Sequence, residues 1–120
     1  MLCRLLLLPV LPVLFLTGCN TGATLECPAP RLQSGNDELH ETAADIKSYQ
    51  SRFEDGYSEN ELGTAISALR QKYPDARDDA IFNYLVAAYC PVARGSSDFP
   101  SIQKNRLRSF ESALHAALGD

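Results

Sequence analysis

The sequence predicts an all-α fold: a small bundle of about four amphipathic helices held by one disulfide. Apolar residues recur at three- and four-residue steps in four segments after residue 36, which is the spacing of a helix face. No segment shows the strict apolar–polar alternation that is typical of a half-buried strand. Because helices of this length are unstable alone, their apolar faces must pack against one another.

The first helix is predicted over residues 37–54. Its apolar face consists of Leu39, Thr42, Ala43, Ile46, Tyr49 and Phe53. Asp37, Glu38 and Glu41 would lie in the first turn, where the positive end of the helix dipole favours acidic side chains. Gly56 is a natural stop.

The second helix is predicted over residues 59–73. Ser58 and Glu61 have the spacing of a capping box, in which the hydroxyl accepts a backbone N–H bond and the carboxylate accepts one in return. The inner face consists of Leu62, Ala65, Ile66, Leu69 and Tyr73. Pro74 is expected to end the helix.

The third helix is predicted to start after Asp75 as N-cap, with Asp78 and Asp79 in its first turn. Its apolar residues are Ile81, Phe82, Tyr84, Leu85, Val86, Ala87, Ala88 and Tyr89. This makes it the most hydrophobic helix, so we expect it to be the most buried. Pro91 disfavours helical geometry at Cys90, so the helix is expected to end there.

A connection over residues 91–100 leads to the fourth helix, predicted over residues 101–118. Leu107, Phe110, Ala113, Leu114, Ala117 and Leu118 form its apolar stripe. Gly119 is expected to end it.

The start of the chain has the pattern of a secretory signal. Arg4 precedes an apolar run over residues 5–16, which is too short for a bilayer span of about 20 residues. The run ends in Leu16-Thr17-Gly18-Cys19, and this resembles the processing site of bacterial lipoprotein precursors. The alternative is an ordinary signal peptide that is cut elsewhere and leaves Cys19 unmodified.

The resemblance implies cleavage between Gly18 and Cys19 and a diacylglyceryl group on the Cys19 sulfur, which would anchor the chain to a membrane without crossing it. The chain then divides into a signal peptide at residues 1–18, an acylated N-terminus and linker at 19–36, and a helical domain at 37–120. The expected location is the periplasmic side of the bacterial cell envelope. Asn20, in place of an aspartate that marks inner-membrane retention in enterobacteria, favours the outer membrane.

Two cysteines remain once Cys3 leaves with the signal and Cys19 carries lipid. In an oxidising periplasm Cys27 and Cys90 are expected to form a disulfide, the alternative being two buried free thiols. Cys27 follows Cys19 by eight residues, an extended reach of at most about 28 Å. The region around Cys90 is therefore expected on the membrane side of the domain.

The charge balance and the polar residues predict no nucleic-acid, metal or cofactor site. The chain after residue 18 has ten basic and fifteen acidic side chains, which argues against a general nucleic-acid binder. His115 and Glu111 lie one helical turn apart, but two ligands do not make a zinc site. His40 is expected on the surface, and no catalytic set is apparent.

Lys104, Arg106 and Arg108 form a basic cluster early in the fourth helix, where the dipole disfavours positive charge. One interpretation is contact with anionic lipid headgroups; the other is ion pairing or simple solvation. The tyrosines are expected to pack in the core. The five are Tyr49, Tyr57, Tyr73, Tyr84 and Tyr89.

These observations predict a membrane-anchored envelope lipoprotein with a helical protein-interaction or structural domain and no catalysis. Its partners would be the membrane, through the lipid on Cys19, and an envelope protein that the sequence does not identify. The alternative is a periplasmic carrier or sensor that holds a small apolar ligand near Tyr84 or Tyr89. An enzyme would need a cleft with convergent titratable residues, and the sequence shows no such set.

Overall fold

The computed structural model describes residues 25–27 and 39–119, and within them it has four helices and no strand. The helices are α1 (Ala43–Glu54), α2 (Glu59–Lys72), α3 (Asp78–Gly95) and α4 (Pro100–Leu118). The prediction of a small all-α bundle is therefore confirmed. The predictions for the signal peptide, for Cys19 and for most of the linker lie outside the described residues.

Helix α3 is the centre of the bundle, since it packs against both α1 and α4 while α2 packs against α4. Eight residues of α3 are buried, more than in any other helix, as its hydrophobicity predicts. Aromatic rings join the layers: Tyr89 stacks on Phe110 with ring centroids 4.1 Å apart, and Phe53 of α1 meets Phe110 at 5.3 Å.

Helix α1 begins at Ala43, well after the predicted start. Thr42 is the N-cap: its Oγ1 accepts a hydrogen bond from the Asp45 N–H at 3.1 Å, and its own N–H donates to Asp45 Oδ2 at 2.8 Å. This capping box fixes the helix start. The prediction that Glu41 lies in the first turn is wrong, because Leu39 and Glu41 precede the helix and are buried.

Helix α2 follows the prediction closely. The Ser58 N–H donates to Glu61 Oε1 at 2.9 Å, and the Glu61 N–H donates to Ser58 Oγ at 3.1 Å, so the capping box is confirmed. The helix ends at Lys72, with Tyr73 as its C-cap before Pro74. Its buried residues are Leu62, Ala65, Ile66 and Leu69.

The predicted N-cap of α3 is wrong, whereas its predicted acidic first turn is confirmed. The N-cap is Arg77, without a capping side-chain bond, so the prediction of Asp75 as N-cap is wrong. Asp78 and Asp79 do occupy the first turn. Arg70 of α2 pairs with Asp78 at 2.9 Å, so this charge also links two helices.

Helix α3 runs through Pro91 to Gly95, so the prediction that it ends at Cys90 is wrong. Pro91 removes a helical hydrogen bond and crowds the preceding turn. Packing outweighs this local cost, because Cys90 and Ala93, on either side of the proline, are both fully buried. The connection to α4 is accordingly short.

Helix α4 begins one residue earlier than predicted, at Pro100, whose missing N–H costs no hydrogen bond in the first turn. It ends at Gly119, whose φ of 94° is the left-handed conformation that glycine adopts without strain. Phe110, Leu114 and Leu118 are buried as the stripe predicts, while Ala117 is exposed.

Candidate functional site

The disulfide between Cys27 and Cys90 joins residues 25–27, which lie within the predicted linker, to the last two turns of α3. The two Cα atoms lie 5.6 Å apart, and the predicted pairing is confirmed. Cys90 is fully buried, whereas Cys27 is partly buried against the core. The bond therefore fixes where the chain enters the helical domain.

The side chain of Gln103 also binds the segment of residues 25–27. Its Oε1 accepts a hydrogen bond from the Leu25 N–H at 3.0 Å, and its Nε2 donates to the Ser97 carbonyl oxygen at 2.7 Å. The side chain is only 3% exposed, so these bonds satisfy its polar atoms in the interior. Residues 25–27, the α3–α4 connection and the start of α4 thus form one end of the domain.

Three basic side chains extend from α4 near this end. Lys104, Arg106 and Arg108 are all exposed, so the structure places the predicted cluster on the surface. Arg108 Nη1 donates to Asn105 Oδ1 at 3.0 Å, a contact within the same helix. At 100° per residue, Arg106 lies on one flank of the exposed face of α4, and Lys104 and Arg108 lie on the other.

Two large apolar side chains are exposed at the start of α4, just before this cluster in the sequence. Phe99, the N-cap of α4, is 65% exposed, and Ile102 in its first turn is 40% exposed. Neither residue belongs to a predicted apolar stripe or a predicted site. Their exposure could have been inferred from the sequence, because the two residues flank Pro100 and lie off the apolar stripe that leads to Phe110.

At the opposite end of α3, a buried carboxylate accepts hydrogen bonds from donors at the end of α2 and in the second turn of α3. Tyr73 donates its hydroxyl to Glu41 Oε2 at 2.6 Å, and Tyr84 donates to Oε1 at 2.9 Å. Lys72 Nζ lies 2.8 Å from Oε2 and is itself half exposed. The Glu41 side chain is 2% exposed, so its charge is compensated by bonds that lock residues 39–42 onto α2 and α3.

The same bonds change the acidity of the donors. Burial raises the pKa of Tyr84 well above its usual range, and the hydrogen bond to Glu41 raises it further. The hydrogen bond to Glu41 also raises the pKa of Lys72, since it favours the ammonium form. Both groups therefore stay protonated to a higher pH than a free tyrosine or lysine. The donors occupy both carboxylate oxygens, and the side chain has almost no access to solvent, so this cluster stabilises the fold and does not present a reactive group.

His40 precedes α1, whereas His115 lies near the end of α4. His40 is exposed beside Tyr73, and His115 is exposed and stacks on Phe82 with ring centroids 4.3 Å apart. Glu111 is partly buried. In the described part of the chain, no three side chains of the types that ligate metals come together.

All five tyrosines contribute to packing, which confirms the expectation for them. Tyr84 and Tyr89 are buried, and the other three lie partly buried against the core. A groove of about 560 Å³ runs along α2 between Glu59 and Gln71, but it is open to solvent and lined by small and polar side chains. An apolar ligand instead needs an enclosed and mainly apolar pocket.

None of the helices in residues 39–119 is both long enough and apolar enough to cross a membrane. No protein-family model matches the chain, and no curated protein or solved structure is significantly similar to it.

Proposed function

We propose that the chain is a lipid-anchored lipoprotein of the bacterial envelope, held on the periplasmic side by acyl chains on Cys19. Its helical domain acts through contacts with the membrane and with an envelope protein, and it does not catalyse a reaction. The outer membrane is the favoured location because Asn20 follows the anchor.

The observation that carries this proposal is the bond between Cys27 and Cys90. Disulfides form and persist in oxidising compartments such as the periplasm, and they are rare in the cytosol. The bond therefore agrees with the export that residues 1–19 imply. It also supports a domain that starts close to its anchor, because Cys27 follows Cys19 by only eight residues.

The proposal that the domain acts through contacts and not through catalysis is supported by the partners of its buried polar side chains. Glu41 has its oxygens occupied by Tyr73, Tyr84 and Lys72. Gln103 is bound to two backbone groups. The two tyrosines that the ligand-carrier alternative would use are engaged in packing, since Tyr84 donates to Glu41 and Tyr89 stacks on Phe110.

Metabolic labelling with an alkyne fatty acid tests the anchor. The wild-type protein expressed in a bacterium is expected to carry the label in its membrane fraction, and Cys19→Ser is expected to lose it, because serine has no thiol to alkylate. Cys3→Ser is the matched control and should keep the label, since Cys3 leaves with the signal. An unlabelled wild-type protein, or a label that survives Cys19→Ser, would contradict the proposal.

A further inference from the structure

The start of α4 carries an exposed apolar pair next to basic side chains. Phe99 and Ile102 are, within the described residues, the two large hydrophobic side chains that are exposed. Single exposed apolar residues are common on protein surfaces, but these two lie within one turn of each other. Together with Lys104, Arg106 and Arg108 we call them the α4-entry patch.

Charge separates this end of the domain from the rest. Residues 25–27 and 94–108, which form this end, carry four basic side chains and two acidic ones, Glu26 and Asp98. Residues 39–93 have the reverse excess, with nine acidic and five basic side chains. The dipole of α4 adds further positive potential at its N-terminus. An anionic surface is therefore attracted to the α4-entry patch and repelled by the remainder of the domain.

The patch also lies where the chain enters the domain. Cys27 is bonded to Cys90, and the neighbouring Leu25 is bonded to Gln103, which lies within the patch sequence between Ile102 and Lys104. From Cys27 the chain has eight residues to Cys19, a reach of at most about 28 Å. The turn between α2 and α3 is at the other end of α3, whose 18 residues span about 27 Å.

We propose that the α4-entry patch is a second, non-covalent membrane contact, with an anionic phospholipid surface as its ligand. Phe99 and Ile102 enter the boundary between headgroups and acyl chains. The basic side chains on both flanks of the exposed α4 face contact the lipid phosphates, Arg106 from one flank and Lys104 and Arg108 from the other. The inference rests on the proposed anchor at Cys19, which brings the patch to the bilayer. The contact holds the domain with its disulfide end on the membrane and its α2–α3 turn pointing away.

The absence of tryptophan from the chain provides a direct test. Phe99→Trp and Asp75→Trp each introduce one tryptophan into the lipidated full-length protein, the first in the patch and the second at the exposed α2–α3 turn. Each protein is reconstituted into vesicles of brominated phosphatidylcholine with phosphatidylglycerol, and the quenching of its fluorescence is measured. Both positions are exposed, so equal thermal unfolding midpoints should show that neither substitution disturbs the fold.

The tryptophan at position 99 is expected to be quenched several-fold more than the one at position 75. Adding Lys104→Gln, Arg106→Gln and Arg108→Gln to Phe99→Trp should reduce that quenching, as should replacing phosphatidylglycerol with a zwitterionic lipid. Equal quenching at the two positions, in a protein that co-floats with the vesicles, would overturn the membrane contact while leaving the anchor intact. So would protection of position 99 by a bound protein without lipid quenching. Failure of the protein to co-float would overturn the anchor and the contact together.

Discussion

Replacing both Cys27 and Cys90 by alanine is expected to lower the free energy of unfolding by about 4 kcal/mol, because the unfolded chain regains the entropy of a loop of 63 residues. This is a large share of the stability of a small domain, so the midpoint of thermal unfolding should fall by about 15 °C or more. Circular dichroism of the purified protein in detergent, followed with temperature, measures the change.

Wild-type protein reduced with dithiothreitol serves as the control, since it loses the bond without losing the side chains. Its unfolding midpoint should fall nearly as far as that of the double variant. A double variant that unfolds at the wild-type temperature would contradict the stabilising role assigned to the bond.

Glu41→Ala is expected to lower the free energy of unfolding by about 3 kcal/mol, since hydrogen bonds to a charged group contribute about 1.5 to 3 kcal/mol each and the Tyr84 hydroxyl loses its acceptor in the interior. Chemical denaturation monitored by circular dichroism gives the value. Glu54→Ala, at an exposed position at the end of α1, is the matched control and should change stability by no more than about 0.5 kcal/mol. Equal changes in the free energy of unfolding for the two substitutions would contradict the stabilising role assigned to Glu41.

The same cluster predicts how stability depends on pH. Unfolding exposes Tyr84 and returns its pKa to the ordinary 10.0, whereas the folded domain keeps this hydroxyl protonated at higher pH. A group whose pKa is raised by folding contributes stability below its unfolded pKa, and that contribution is lost as pH rises. The contribution of Tyr84 to the free energy of unfolding should therefore be constant around neutral pH and decline above about pH 10.

The sequence predicts a helix end correctly where that end depends on residues next to it in the chain. Ser58 and Glu61 define the start of α2 by their spacing alone, and Gly119 ends α4 because of its own backbone freedom. The start of α1 carried a similar signal in Thr42 and Asp45, which the apolar periodicity extending back to Leu39 obscured. Leu39 is indeed in the core, but it reaches the core from outside the helix.

The features that the sequence does not predict depend on contacts between distant residues. Glu41 is bound by side chains from residues 72–84, and no pattern near Glu41 distinguishes it from a solvated acid. The passage of α3 through Pro91 depends on packing around Cys90 and Ala93. Gln103 lies seven residues before Phe110 on the same stripe, so a polar residue on an apolar face was the one sign of its buried role.

The mass of the N-terminal peptide of the mature protein, isolated from bacterial envelopes, shows whether Cys19 is the lipidated first residue. We expect a peptide that begins at Cys19 and carries the mass of a diacylglyceryl group on its sulfur. A mature peptide with an unmodified thiol at Cys19, or one that still contains residues 1–18, would show that the protein is not anchored by lipid at this residue.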